Sequence, residues 1–124
     1  MKTYLLDTDV IIECLRANKS IESRLKQIYE EGNLVVYTPV TISEIYEGLR
    51  KDEERKIEEF FLTMECLPIT AEVGRIAGEF LKKFRKSHGV ELGDALIAAA
   101  AHHYDAILFT LNKKHYPMLE LRLV

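Results

Sequence analysis

The chain has 124 residues, 48% of them hydrophobic, and a formal net charge of −3. That length can bury one compact core but not two, so a single domain over residues 1–124 is expected. A net negative charge excludes a protein that grips nucleic acid by bulk electrostatics, and any anionic substrate must be held locally.

Along the chain, TYLL (3–6) is short, continuous and apolar, the signature of a strand buried on both faces. LLDTDVII (5–12) then carries the chain into a helix starting near Asp9, and Ile21, Leu25 and Ile28 mark the apolar stripe of a second helix. LVVY (34–37) is the next buried strand. Ile42, Ile45 and Leu49 recur at helical spacing, as do Ile57, Phe60, Phe61 and Met64. CLPI (66–69) is a weaker strand. Val73, Ile76, Ala77, Phe80, Leu81 and Phe84 form the clearest amphipathic pattern, leaving Glu72, Glu79, Lys82, Lys83 and Lys86 for solvent. The alanine-rich DALIAAAAHHY predicts a helix that can lie close to a sheet. AILFT (106–110) is the last buried strand, and the tail LELRLV alternates like an edge strand. Strands alternating with helices predict an α/β domain with a mostly parallel sheet covered on both faces. No long uncharged block stands near MKTYLLD, so a soluble, cytoplasmic chain without a membrane segment is expected. Cys14 and Cys66 form no C-x-x-C pair and sit among apolar neighbours, which predicts two buried free thiols.

Chemistry concentrates at the junctions. Ligand sites in open α/β sheets gather beyond the carboxyl ends of strands, and Asp7 directly follows TYLL. Glu44 lies in TPVTISEIYEG after LVVY, Asp94 opens the alanine-rich helix, and Thr110, Asn112 and His115 follow AILFT. Each has a structural alternative. Asp7 or Thr8 can cap a helix, Asp94 can cap the next, Thr41 and Glu44 match the spacing of a capping box, and Asp9 reads as a first-turn acid favoured by the helix dipole. A parallel sheet nevertheless brings Asp7, Glu44, Asp94 and the 110–112 segment to one edge. Carboxylates about 5 Å apart repel by roughly 3 kcal/mol per pair at an effective dielectric near 20, a conflict that a hard divalent cation resolves. Oxygen-only ligands suit Mg²⁺ or Mn²⁺ rather than zinc.

LLDTDVII, TISEIYEG, LGDALIAAAA and FTLNKKHYPML, in that order, strongly resemble the motifs of the PIN domain, in particular the VapC toxins of prokaryotic toxin–antitoxin pairs. The likeness covers essentially the whole chain. It implies a three-layer α/β/α fold and an Mg²⁺- or Mn²⁺-dependent endoribonuclease. Asp7, Glu44 and Asp94 would hold metal, and Thr110 and Asn112 would shape the pocket and meet metal-bound water or the scissile phosphate. It further implies a homodimer inhibited by a cognate antitoxin, whose arginine would enter the acid pocket. Many such proteins carry an Asp where this chain has His115; His115 can still face the pocket, or it is a surface residue without a role. Basic residues must carry the RNA backbone, with Lys113 and Lys114 first and Arg50 and Lys51 next. The run KKFRKSH reads as a solvated helix face, and the adjacent His102 and His103 point apart. A receiver-type phosphoacceptor domain also collects acids at strand ends, but it needs an Asp closing the middle strand, where Thr38 and Pro39 stand. A PIN-fold binding module without catalysis has only the residue at 115 in its favour.

Overall fold

The computed structural model describes residues 1–124. Five strands, β1 (Thr3–Leu6), β2 (Leu34–Tyr37), β3 (Glu65–Cys66), β4 (Ile107–Phe109) and β5 (Arg122–Leu123), form one sheet in the order β3-β2-β1-β4-β5, with every pairing parallel. Six helices connect them: α1 (Thr8–Leu15), α2 (Lys19–Glu30), α3 (Pro39–Glu47), α4 (Glu54–Phe61), α5 (Ala71–His88) and α6 (Leu92–His103).

The period of two along each strand sorts its side chains into two cores. Leu5, Val36 and Leu108 face α5 and α6, meeting Val73, Phe80 and the alanines of α6. Leu6, Val35, Tyr37 and Phe109 face the other way, onto Val10 and Ile11 of α1, Ile21 and Leu25 of α2, and Ile57 of α4. The result is the three-layer α/β/α arrangement expected from the sequence. Ala95, Ala98, Ala99 and Ala100 are fully buried, and such short side chains let the α6 backbone approach the sheet.

Local chemistry fixes the helix ends. Asn18 caps α2 by accepting from the Ser20 and Ile21 amides, and Thr70 caps α5 by accepting from Val73. Gly89 ends α5 with φ +65°, a left-handed conformation that glycine adopts without a Cβ penalty. Leu92–His103 then returns to the sheet edge.

Three expectations are corrected. α3 starts at Pro39, not at Thr41, because proline's fixed φ suits the first helical position; Thr41 is therefore buried inside the helix and no Thr41–Glu44 capping box forms. The strand near CLPI spans only Glu65–Cys66, since Pro68 has no N–H to extend the ladder. Cys66, on that edge strand, is exposed, whereas Cys14 is buried as expected. Lys82, Lys83, Arg85 and Lys86 are exposed along α5, as are His102 and His103 at the end of α6. No helix is long and apolar enough to cross a membrane.

Candidate functional site

Strand order reverses between β1 and β4, since β1 leads outward to β2 on one side and β4 to β5 on the other. Such a switch point opens a crevice at the carboxyl ends of the two strands. Asp7 follows β1 there and Thr110 follows β4, in direct hydrogen-bonding contact.

Asp7 is 8% exposed and caps α1, with Oδ1 accepting the Thr8 amide at 2.8 Å. The capping alternative is thus true as far as it goes, but it uses only one oxygen. Oδ2 accepts the Thr110 hydroxyl at 2.8 Å and the Tyr116 hydroxyl at 2.9 Å. Glu44 projects from α3 and its Oε1 accepts the Thr8 hydroxyl at 2.6 Å, with the Thr41 hydroxyl 3.1 Å from that of Thr8. Asp94, on the first turn of α6, accepts the Glu91 amide through Oδ2 at 3.2 Å while Oδ1 lies 3.7 Å from His115 Nδ1. It too both caps a helix and faces the crevice.

These side chains line a cavity of about 350 Å³ together with Asp9, Asn112 and His115. Asp9 is more than a first-turn acid, for its two carboxylate oxygens accept the Leu111 amide at 3.3 and 3.2 Å and tie α1 to the segment after β4. Burial pushes the Asp9 carboxyl up to about 6, with the charge of Asp7 adding to it. Glu44 is also raised, by burial against the opposing Thr8 hydrogen bond and then by Asp7 and Asp94. Asp94 is raised chiefly by burial, the Glu91 amide and His115 acting in the opposite sense. No lysine or arginine lines this cavity, and His115 is its one group able to become cationic. The Asn112 amide nitrogen stands 3.1 Å from His115 Nε2, which holds the imidazole at the rim.

Thr110 is 3% exposed and turned to Asp7 rather than into the cavity. Lys113 and Lys114, on the 3₁₀ turn Lys113–His115, line a separate groove of about 780 Å³ with Arg24 and Asn112. Arg50 lines a third groove, with Arg16, that meets the acid cavity at Ile12 and Glu44, whereas Lys51 begins the 3₁₀ turn Lys51–Glu53. Sequence reasoning missed Tyr116 and the part played by the Thr8 hydroxyl. The available signal was a tyrosine within the apolar YPML, because a buried phenol needs a partner for its hydroxyl.

Whether a divalent cation fits here is a question of donor chemistry. Five carboxylates line one cavity, Asp7 at the end of β1, Asp9 on α1, Glu44 on α3, Glu91 just before α6 and Asp94 on α6; Asp9, Glu44 and Asp94 are raised by burial and mutual repulsion, and no ammonium or guanidinium neutralises the set. No three acids or histidines are turned to a common point at ligating distance, and Asp7, Asp9, Glu44 and Asp94 are each held by a protein donor instead. The donor set fits a hard cation in type and charge.

The PIN domain family model matches residues 4–118. "Ribonuclease VapC10" of Mycobacterium tuberculosis is 35% identical over 117 residues, 94% of this chain and 87% of that protein. "Ribonuclease VapC19" of the same organism is 31% identical over 115 residues, 92% of each chain. Among solved structures, VapBC2 from Rickettsia felis bound to a promoter DNA fragment superposes with a TM-score of 0.84 at 23% identity, covering 98% of this chain and 97% of the other.

Proposed function

Because this chain belongs to the PIN domain family, we propose that it is an Mg²⁺- or Mn²⁺-dependent endoribonuclease and the toxin of a toxin–antitoxin pair. The observation that carries the reading is the meeting of Asp7, Glu44 and Asp94, from three distant parts of the chain, in one cavity without a fixed cation. Relatives named as ribonucleases over nearly their whole length support the reaction class.

Asp7 and Asp94 would hold the metal, with Glu44 and Asp9 completing the negative set. Asp9 thereby offers a fourth carboxylate although residue 115 is a histidine. When bound, the metal supplies a Lewis acid that polarises the phosphoryl oxygen, acidifies water and steadies the leaving oxygen. The chain's own groups do the rest. Glu44 Oε1 is fixed by Thr8, and its Oε2, on a carboxyl that titrates above the usual range, is suited to take a proton from attacking water. Asn112 separates the acid cavity from the basic groove and borders both, so its amide meets the phosphate between them. Arg24, Lys113 and Lys114 hold the RNA backbone on one side, and Arg50 on the other.

The partner follows from the same charges. An antitoxin would inhibit by placing an arginine among Asp7, Glu44 and Asp94, whose oxygens suit the planar guanidinium fork. The association of VapBC2 with its promoter DNA is a property of that complex and lends support to a paired antitoxin here. A homodimer is the assembly we expect. The decisive experiment incubates single-stranded RNA with the protein and Mn²⁺. Cleavage is expected for wild type and for Glu79→Gln on the exposed face of α5, and none for Asp94→Asn or in EDTA. Equal cleavage by Asp94→Asn and wild type would return Asp94 to a helix cap alone.

A further inference from the structure

We infer that Tyr116 is a positioning residue for Asp7, and that with Thr110 it commits Asp7 to bind a cation through Oδ1 alone; this rests on the metal reading above. Each carboxylate oxygen offers two lone pairs. At Oδ2 both are taken, by Thr110 at 2.8 Å and by Tyr116 at 2.9 Å. At Oδ1 the Thr8 amide takes one, which leaves a single lone pair for a ligand.

The three donors come from α1, from the end of β4 and from the residue after the last 3₁₀ turn, and Tyr116 is 109 residues from Asp7 in sequence. Together they lock the Asp7 carboxylate in rotation as well as position. Tyr116 is 3% exposed, packs in the core beneath α5 and α6, and does not line the acid cavity. It therefore touches neither substrate nor cation. Its hydroxyl makes no other side-chain hydrogen bond, so one atom carries the whole effect. Hydrogen-bond partners of metal ligands commonly change metal affinity or activity by about 10–100-fold when removed.

The test is Tyr116→Phe, which keeps the ring in the core and deletes only the donor, with Thr110→Val and Thr110→Ser beside it. The readout is the Kd for Mn²⁺ from the electron paramagnetic resonance signal of the free ion, in the absence of RNA. Tyr116→Phe and Thr110→Val should raise Kd by about tenfold or more, whereas Thr110→Ser, which keeps its hydroxyl, should stay near wild type. At saturating Mn²⁺ the KM for RNA should be unchanged in Tyr116→Phe, since the phenol meets no substrate. A wild-type Kd in both Tyr116→Phe and Thr110→Val overturns the inference while leaving the metal reading intact. Absence of Mn²⁺ binding by wild type overturns the metal reading itself, and this inference with it. Should Tyr116→Phe fail to fold, the Thr110→Val and Thr110→Ser pair decides.

Discussion

Removing the charge of Asp9 should stabilise the metal-free protein, and by an amount that depends on pH. Its carboxyl is pushed from its ordinary 3.8 to about 6, first by burial and then by Asp7, with the Leu111 amide and His115 opposing. Because the folded value lies above the unfolded one, the folded state binds the proton more tightly. Stability from this group is therefore full below about pH 4 and is lost as pH rises to about 6. The gap corresponds to about 3 kcal/mol at 1.36 kcal/mol per pH unit. Asp9 is only partly buried, and screening by solvent cuts this to about 1.5 kcal/mol.

Asp9→Asn is the neutral isostere and can still accept the Leu111 amide. It should gain about 1.5 kcal/mol at pH 7.5, equivalent to about 4–6 °C in melting temperature for a domain of this size. At pH 4.5, where much of the folded wild type is already protonated at Asp9, the gain should fall to about 0.9 kcal/mol. Urea unfolding in EDTA at the two pH values measures both. A variant no more stable than wild type at pH 7.5, or one with the same gain at both pH values, would refute the reasoning.

Saturating Mn²⁺, at about a hundred times its Kd, should add roughly 2.7 kcal/mol to wild type and clearly less to Asp94→Asn; calorimetric melting with equal ionic strength throughout separates the two. A Cβ built on Gly93 would stand 3.0 Å from Glu44 Oε2, so Gly93→Ala should fold, because a flexible side-chain end can yield, but displace Glu44 and lower RNA cleavage by about tenfold or more. Full activity in Gly93→Ala with a shifted melting temperature would disprove that. Lys113→Gln with Lys114→Gln should raise KM for single-stranded RNA and reduce the slope of log affinity against log salt by about 1.4, the value for two lost phosphate contacts. An unchanged slope would move the RNA path away from the 113–115 turn.

What was legible in the sequence was whatever a strand end or a helix start dictates. Asp7, Glu44, Asp94 and the 110–112 segment could be placed on one edge because a parallel sheet puts all carboxyl ends on the same side. The apolar periods of the strands and of α5 identified the layers for the same reason. What could not be read was the direction of individual hydrogen bonds. Tyr116 looks like core in sequence, and only the docking of the C-terminal segment aims its hydroxyl at Asp7. Asp9 carries a helix-dipole explanation sufficient in itself, and its second partner, the Leu111 amide, is 102 residues away. Thr41 and Glu44 have capping-box spacing, but a proline two residues earlier moves the helix start and frees Glu44 for Thr8. Cys66 has apolar neighbours on paper, yet a two-residue edge strand gives it nothing to lie under.

The central position of β1 also sets when the site can exist during synthesis. β1 and Asp7 are made about a hundred residues before their partners, for β1 is flanked by β4, and Asp7 is bound by Thr110 and Tyr116. Asp94 likewise belongs to the last third of the chain. A nascent chain that has reached only α5 thus carries three acids of the cavity, Asp7 after β1, Asp9 on α1 and Glu44 on α3, with neither the strand nor the hydroxyl donors that fix the first. The acid cavity can close only once the segment through Tyr116 has been synthesised and β4 has joined β1 in the middle of the sheet.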